Sequence, residues 1–137
     1  MENKLIELND GKYVVEVQAI KKDSTETSAM APYLANNAII TKEAGQNFVT
    51  LVINEEEVVK GLQVKSSDNT FKNSINNQVN QDENVRYEIF HLEQIQTILP
   101  ARVQYKINYE GNIIEGDEEL RLFINDDTIQ NVEDMEF

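Results

Sequence analysis

Ala101-Arg102-Val103-Gln104-Tyr105-Lys106-Ile107-Asn108-Tyr109-Glu110-Gly111 is the stretch of sequence that decides the fold class. Apolar and polar side chains alternate in it with a period of two, the pattern of a β-strand with one face in a core and the other in water. Pro100 is tolerated at the start of such a strand, and Glu110-Gly111-Asn112 forms a turn that ends it. Two tyrosines, Tyr105 and Tyr109, lie on the apolar face, roughly 13 Å apart along the strand. A phenol in this position can close a core or offer its oxygen to a ligand.

The same alternation recurs at short spacing through the chain. We predict further strands over residues 12–22, 38–43, 47–54, 58–65, 70–75, 85–92 and 113–125. Residues 28–35 form one or two helical turns in this prediction, because Pro32 is tolerated in the first turn of a helix. About eight short strands without a long helix are typical of an all-β, immunoglobulin-like antiparallel β-sandwich. We therefore predict a sandwich domain over residues 1–125 and an acidic C-terminal tail over 126–137.

Composition excludes several classes of function. The 137 residues include 25 acidic and 12 basic side chains, and the net charge of −13 argues against binding to nucleic acid or to anionic lipid. Cysteine is absent, so disulfides and thiolate metal sites are not available. No apolar run approaches the ~18 residues of a membrane span, and the N-terminus does not have the pattern of a signal peptide. Because no nucleophile–base arrangement or phosphate-binding glycine loop occurs, we do not expect an enzyme.

Four stretches together resemble the NEAT (near-iron transporter) domains of Gram-positive bacteria. In chain order they are Gly11-Lys12-Tyr13-Val14-Val15, Ser28-Ala29-Met30-Ala31-Pro32-Tyr33-Leu34, Phe48-Val49-Thr50-Leu51-Val52-Ile53 and Pro100-Ala101-Arg102-Val103. The second stretch resembles the lip helix of that family and the others resemble its strands, in the family's order. The resemblance covers nearly all of residues 5–125. NEAT domains are β-sandwiches that bind haem or haemoproteins and are displayed on the cell surface or secreted.

The resemblance implies that ferric haem b is the ligand, held in a slot between the lip helix and the last β-hairpin. Haem is a flat apolar plate with two carboxylates at one edge, so it requires an apolar slot with polar groups at the rim. By resemblance, Ser28 and Tyr33 hold the propionates and a tyrosine phenolate of the hairpin binds iron. An anionic oxygen ligand favours ferric iron, and the phenol pKa of about 10 must fall on metal binding. The slot-lining candidates are Ser28, Met30, Tyr33, Leu34, Phe48, Val103, Tyr105, Ile107 and Tyr109.

Tyr105 and Tyr109 match the Tyr-x-x-x-Tyr spacing of the family's iron-binding pair, but three registers of the hairpin are open. In the first, these two residues are the pair, although the family's pair follows the hairpin turn and these precede it. In the second, Tyr109 is the counterpart of the ligand and Ile113 stands in place of the supporting tyrosine. In the third, which needs no gap, Ile114 and Glu118 occupy the two positions. We predict Tyr109 as the iron ligand, whereas a core position is the default interpretation of Tyr105.

The other candidates also have plainer structural interpretations. Ser28 can cap a helix, and Met30 and Leu34 can be ordinary core residues beneath a short helix. Phe48 is more often a core residue than the wall of a pocket. His91 is the single histidine, with no second histidine or cysteine to complete a metal site, and the acidic residues lack calcium-loop spacing.

Three functions follow from these observations. The leading prediction is a haem-binding module of a bacterial iron-acquisition system, which captures ferric haem and passes it on; haemoglobin or another haem-carrier domain are further candidate partners. One alternative is a NEAT-like domain that binds a haemoprotein such as haemoglobin without ligating haem itself. Another is an adhesion or spacer sandwich without a ligand. The lack of a signal peptide and of a membrane span indicates an excised mature domain that does not itself insert into a membrane. The resemblance implies an extracellular protein, cell-wall-associated or secreted, with its signal and anchor outside this sequence.

Overall fold

The computed structural model describes residues 8–55, 57–66 and 68–132 of the chain. The described part contains nine strands and one 3₁₀ helix, Ala31–Tyr33, which lies between the first two strands. The strands are β1 (Gly11–Lys21), β2 (Asn37–Glu43), β3 (Gln46–Asn54), β4 (Val59–Lys65), β5 (Phe71–Asn73), β6 (Asn76–Asn80), β7 (Val85–Leu92), β8 (Ile98–Tyr109) and β9 (Asn112–Asn131). No helix in these residues is long and apolar enough to cross a membrane.

The nine strands form one antiparallel sheet in the order β5-β4-β8-β9-β1-β2-β3-β7-β6. The sheet twists and curls on itself to make the two layers of a sandwich. The long strand β9 joins the layers, because residues 112–123 pair with β8 and residues 120–131 pair with β1. The predicted all-β, immunoglobulin-like sandwich with a short helix near residues 28–35 is therefore confirmed.

One core fills the space between the layers. Strand β3 shows how the alternation builds it, because Val49 and Ile53 are fully buried while Phe48 and Thr50 on the other face are only partly covered. Burying an aliphatic side chain of this size contributes about 1.5–3 kcal/mol relative to leaving it in water. The other most buried side chains are Val15, Ile40, Val59, Leu62, Phe90, Ile95, Leu120, Leu122 and Ile124.

Two regions differ from the predicted strands. The connection predicted over residues 76–84 contains β6, an Asn-Asn-Gln-Val-Asn segment held by its pairing with β7. The last strand continues past the predicted boundary at residue 125 as far as Asn131, which pairs with Tyr13, and Ile129 packs against the core. Residues 133–137 of the predicted tail lie outside the described residues.

The start of β8 also differs slightly from the prediction. The strand begins at Ile98 rather than at Pro100. Pro100 pairs with Arg121 of β9, and the pairing of β8 with β4 begins only at the next residue, Ala101. The proline therefore lies where β8 has a neighbour on one side, a position at which its missing N–H is tolerated.

Candidate functional site

Two segments define one end of the sandwich. Strand β1 ends at Lys21, which pairs with Leu120, and the chain then leaves the sheet until β2 begins. We call this excursion, residues 22–36, the lip. The hairpin formed by residues 102–119 of β8 and β9 continues past the end of β1 on the same side. We call the end of the sandwich formed by the lip and this hairpin the slot end.

The lip is attached to the core by its apolar side chains. Met30 and Leu34 are 4% and 8% exposed and belong to the core, while Tyr33 is half-buried against it. The backbone closes a single 3₁₀ turn, in which the N–H of Tyr33 donates to the carbonyl of Met30 at 3.0 Å. Leu34 also forms a β-bridge with Ile53 of β3. The segment therefore contains a short helical turn, as predicted, and its residues Met30 and Leu34 are core residues.

Ser28 has a defined local role in the lip. Its side chain is buried, and its Oγ accepts a hydrogen bond from the backbone N–H of Met30 at 3.1 Å. Such serine-to-backbone bonds stabilise turns and helix starts. Because a hydroxyl can accept and donate at the same time, this bond leaves the Ser28 proton available for another acceptor.

The beginning of the lip is tied to β9. The guanidinium of Arg121 donates from Nε to the carbonyl of Lys21 at 3.1 Å and from Nη2 to the carbonyl of Ser24 at 2.7 Å. Lys22 forms an exposed ion pair with Glu119 of the hairpin. These contacts fix the start of the lip relative to the strand that carries the hairpin.

The hairpin turns through two residues only. Tyr109 pairs with Asn112, and the intervening Glu110 and Gly111 have positive φ angles of 50° and 84°. Two consecutive positive φ values are the signature of a type I′ turn, whose twist matches that of the flanking strands. The predicted turn is therefore confirmed, and both Tyr105 and Tyr109 lie on the strand that precedes it.

The inner face of the hairpin, which continues the core-facing side of the sandwich, is apolar and opens toward the tip. Its cross-strand pairs are Val103–Glu118, Tyr105–Gly116, Ile107–Ile114 and Tyr109–Asn112. Val103 is completely buried, Tyr105 and Ile107 are half-buried, and Tyr109 is 62% exposed. Ile114, on the opposite strand, is 49% exposed. The exposed part of this face therefore presents an apolar surface with a phenol at its edge.

Tyr105 leans across the hairpin rather than along it. A Cβ atom added to Gly116 would overlap its ring and would lie 2.6 Å from Cε1. The ring therefore covers the Gly116 backbone on β9, and only glycine leaves room for it there. Because Tyr109 lies roughly 13 Å further along the strand, the two phenols do not meet, and no hydrogen bond joins them in the described part of the chain.

Charged groups are concentrated on the outer face of the hairpin. Arg102 donates to both oxygens of Asp117, with Nε–Oδ1 and Nη2–Oδ2 distances of 2.8 and 2.6 Å, and Lys106 lies 3.5 Å from Glu115. The hydrogen bond from Arg102 lowers the pKa of the Asp117 carboxyl. On the inner face, Glu118 is the one carboxylate among residues 102–119. The apolar face and the charged face of the hairpin are thus separated by the alternation of the strands.

Phe48 is not at the slot end, contrary to the prediction that it lines the slot. It lies on the outer face of β3, where its ring centroid is 5.3 Å from that of His91. It lies five positions before Ile53, the β3 residue that contacts the lip, which is a distance of roughly 17 Å along the strand. Phe48 instead borders a surface groove of about 700 Å³ that also includes Tyr87 and Ile89. The alternation of β3 explains the error, because it directs Val49 inward and Phe48 outward.

The remaining slot candidates lie on the lip and on the hairpin, the two segments that define the slot end. They are Ser28, Met30, Tyr33 and Leu34 on the lip and Val103, Tyr105, Ile107 and Tyr109 on the hairpin. Within residues 8–55, 57–66 and 68–132 there is no cluster of three or more His, Cys, Asp or Glu side chains that could bind a bare metal ion. The phenols of Tyr105 and Tyr109 can instead supply a single oxygen ligand to an iron whose other ligands come from a porphyrin.

Two residues that the sequence analysis did not single out are buried on β7. Arg86 and Glu88 are 9% and 7% exposed and lie on the inner face, in phase with the core residues Phe90 and Leu92. A signal for them was present in the sequence, because the period of two places these charges on the same face as the two apolar residues.

Solved structures with a similar fold include two of NEAT5 of IsdX2, a haemophore of B. anthracis. The structure of this domain in complex with heme has a TM-score of 0.75 and 18% identity, and the match covers 85% of this chain and 97% of that chain. A single-residue mutant of the same domain, also in complex with heme, has a TM-score of 0.76 and 18% identity, with 86% and 97% covered. At this level of identity, the likeness concerns the fold alone.

Sequence comparisons identify the family. The chain is 25% identical over 116 residues to Hemin/hemoglobin-binding protein 2 of Listeria monocytogenes; the match covers 85% of this chain and 20% of that protein. The chain thus spans about a fifth of the length of this curated relative. The model of the NEAT family, described as the Iron Transport-associated domain, matches residues 6–128. Since this match includes the lip, the hairpin and every strand except the last three residues of β9, the chain belongs to the NEAT domain family.

Proposed function

We propose that this domain binds ferric haem b at the slot end and passes it on as part of a bacterial iron-acquisition system. The observation that carries the proposal is the inner face of the β8–β9 hairpin, which is apolar, open to solvent near its tip and edged by a phenol. Family membership supports it, as do the similarities to a hemin/hemoglobin-binding protein of Listeria and to a NEAT5 domain solved in complex with heme. We propose a binding module rather than an enzyme.

The exposed apolar side chains of the hairpin give haem its driving force. Ile107 and Ile114 face each other across the strands, and Ile114 is about half exposed. Covering such side chains with the porphyrin gains roughly 25 cal/mol for each Å² of apolar surface removed from water. On the opposite side, the lip presents Tyr33 at the boundary between core and solvent.

Tyr109 is the proposed iron ligand. It is 62% exposed and precedes the hairpin turn, so its oxygen is accessible without any change in the core. Haem, when bound, would supply a ferric iron, for which a phenolate oxygen is a suitable ligand. Tyr105 has a different role in this proposal, because its ring is held against Gly116 and is half-buried. It forms the base of the slot, beneath the ligand.

The lip provides the polar rim. Ser28 keeps its hydroxyl proton available while its oxygen accepts from the N–H of Met30. The phenol of Tyr33 lies half-exposed on the same short segment. Both can donate to haem propionates, and a hydrogen bond to a carboxylate contributes about 1.5–3 kcal/mol when it is sheltered. Ser28 and Tyr33 are therefore the proposed propionate donors.

A second function is favoured by a specific observation. On β9, the strand that follows the turn, the inner-face positions are occupied by Ile114 and Glu118, neither of which offers a phenol. If the ligand must come from that strand, this domain binds a haemoprotein such as haemoglobin without ligating haem itself. Haemoglobin or another haem-carrier domain is a partner under either function. Both functions place the protein outside the cell, attached to the wall or secreted.

Titration with ferric haem tests the proposal. We expect a saturable shift of the Soret band and a charge-transfer band of phenolate on ferric iron. Removal of the Tyr109 hydroxyl should abolish the second band. If haem produces no saturable shift while haemoglobin binds the domain in a pull-down with purified proteins, the second function replaces the first.

A further inference from the structure

A buried charged pair lies in the core of the sandwich. Arg86 Nε is 3.5 Å from Glu88 Oε1, and both side chains are about nine-tenths buried. The other oxygen of this carboxylate, Oε2, is buried without a hydrogen-bond partner in the described structure. Replacing such a pair with apolar residues is often neutral or stabilising, because removing two charges from water is costly. Stability alone therefore does not explain why these residues are charged.

The guanidinium of Arg86 connects the two layers. Its Nη2 donates to the backbone carbonyl of Val59 at 2.9 Å. Arg86 is on β7 and Val59 is the first residue of β4, and five strands separate β7 from β4 in the order of the sheet. The hydrogen bond therefore crosses the core and holds the start of β4 at a fixed position.

Val59 lies directly beside Tyr105. The two residues are paired, and the register between β4 and β8 then shifts, because Gly61 pairs with Gln104. The additional residue, Lys60, makes a β-bulge, a device that redirects side chains and is common beside functional sites. On the far side of the bulge, the N–H of Lys106 donates to the carbonyl of Val58 at 2.9 Å. The backbone around Tyr105 is thus set by the segment that Arg86 holds.

The space around the bulge is filled closely. A Cβ atom on Gly61 would overlap the Gln104 side chain, just as one on Gly116 would overlap the Tyr105 ring. A small displacement of β4 would therefore move Gln104 and Tyr105 together.

We propose that Arg86, with Glu88 as its counter-charge, is a positioning residue that holds the Tyr105 ring over Gly116 through Val59 and thereby shapes the base of the haem slot. This inference rests on the proposed haem binding for its functional meaning. Its structural part, the control of Tyr105 by Arg86, can be measured without haem. The two parts are therefore tested separately.

The first test measures the position of the ring. The ring current of Tyr105, whose ring lies over Gly116, shifts the NMR signals of the Gly116 Hα protons upfield. We expect this shift to be lost in Tyr105→Leu and much reduced in the double variant Arg86→Met with Glu88→Gln, which removes both charges and leaves neither unpaired. Arg86→Lys, which keeps one donor for the Val59 carbonyl, should retain most of the shift, and Glu88→Gln alone should retain it as well.

A matched control separates positioning from general loss of stability. Phe90→Leu changes the next inward-facing residue of β7, is also buried, and does not bond to Val59. We expect it to lower the midpoint of urea unfolding while leaving the Gly116 shift unchanged. A full Gly116 shift in the double variant, or an equal loss of that shift in Phe90→Leu, would overturn the positioning role.

The second test measures haem dissociation. We expect the double variant to lose haem about tenfold faster than the unaltered protein, equivalent to about 1.4 kcal/mol, with Arg86→Lys restoring most of the retention. If the unaltered protein binds no haem but the Gly116 shift responds to Arg86, the control of Tyr105 stands and the haem function is overturned. If haem binds and the double variant retains it with unchanged rate, the contribution of Arg86 to the slot is overturned.

Discussion

The two halves of strand β8 carry the same alternating pattern but have different surroundings. In the first half, the inward-facing Ala101 and Val103 are completely buried between β4, β9 and the opposite layer. In the second half, Tyr109 continues the same face and is 62% exposed. The difference arises because β4 pairs with β8 only as far as Tyr105 and β1 ends opposite Leu120, so among the described residues neither strand flanks the tip of the hairpin. An alternating pattern thus identifies the apolar face of a strand, but the lengths of the neighbouring strands decide which part of that face is left for a ligand.

The largest effect is expected from a charge placed in the buried first half of β8. Val103→Asp puts a carboxylate at a completely buried position, and we expect it to lower the free energy of unfolding by about 4 kcal/mol or more, or to prevent folding. Ile107→Asp introduces the same carboxylate four positions further along β8, where the side chain is only half-buried, and should cost about 1 kcal/mol or less. Urea unfolding followed by far-ultraviolet circular dichroism measures both. Equal losses in the two variants would show that the halves are covered to the same extent.

The next effect concerns the phenol at the open tip. We expect Tyr109→Phe to raise the haem dissociation rate about a hundredfold, which corresponds to about 2.7 kcal/mol, and to remove the phenolate charge-transfer band. Its stability should change by no more than about 0.5 kcal/mol, because the ring is exposed. Tyr105→Phe serves as the comparison and should change haem dissociation much less, because it keeps the ring that packs over Gly116. If the two results are interchanged, Tyr105 is the ligand; if neither variant alters the spectrum, the register with Ile114 at the ligand position gains support.

A smaller effect is expected at the lip. Ser28→Ala with Tyr33→Phe removes two hydroxyls from the rim and keeps the apolar packing of the segment. We expect haem to dissociate about tenfold faster, because each hydrogen bond to a carboxylate is worth about 1.5–3 kcal/mol at most and exposure weakens it. Stopped-flow transfer of haem to an apo-myoglobin scavenger measures this rate. A double variant that retains haem as long as the unaltered protein would show that the lip only covers the core.

The buried Arg86–Glu88 pair makes the stability of the protein depend on pH. Burial raises the pKa of the Glu88 carboxyl, and Arg86 partly opposes this effect. A carboxyl whose pKa is higher in the folded than in the unfolded state stabilises the fold while it is protonated. This contribution to stability is lost as the pH rises through the folded pKa. We therefore expect the stability of Glu88→Gln relative to the unaltered protein to increase as the pH rises above the ordinary glutamate pKa of about 4.3 and through the raised pKa of the folded state.

Unfolding by urea at a series of pH values checks this expectation. The double variant Arg86→Met with Glu88→Gln also lacks the carboxyl and should show the same trend relative to the unaltered protein. If the stability difference between Glu88→Gln and the unaltered protein is constant across this range, the carboxyl does not change its ionisation on folding.

The smallest effect is expected on the outer face of the hairpin. Arg102→Gln removes the two hydrogen bonds to Asp117, but the pair is exposed to water, where such ion pairs contribute little. We expect little change in the urea midpoint at neutral pH and none in haem dissociation. Because Arg102 lowers the pKa of Asp117, its contribution is present above the unfolded pKa of the carboxyl and is lost as the pH falls through the folded value. A marked loss of haem affinity would mean that the outer face takes part in binding.

Much of the fold was predictable because alternation and burial coincide in most strands. Val49, Leu51 and Ile53 follow this rule, and Gly111 in the hairpin turn is the residue type that a positive φ angle favours. Strand β6 was not predictable, because its Asn and Gln residues give no apolar face and only the pairing with β7 defines it. The end of β9 was missed for a related reason, since acidic residues surround Ile129, the side chain that anchors it.

The candidate site was predictable in part. The resemblance to a family identified the lip and the hairpin, and the structure brings both to one end of the sandwich. The direction of the Tyr105 ring could not be derived from spacing along one strand, because it depends on the absence of a side chain at Gly116 on the next strand. Likewise, Phe48 could be placed correctly only by the phase of β3 relative to the core.

The pairing of β1 with the end of β9 has a mechanical consequence. Tyr13 pairs with Asn131, so the first and last described strands are antiparallel neighbours whose outer ends lie together, away from the slot end. A force that pulls these two ends apart would separate the β1–β9 hydrogen bonds one after another, as in unzipping, instead of shearing them all at once. The pairs near Lys21 and Leu120, beside the lip and the hairpin, would be the last of this ladder to open. Under tension, the domain would thus yield first at the end remote from the slot.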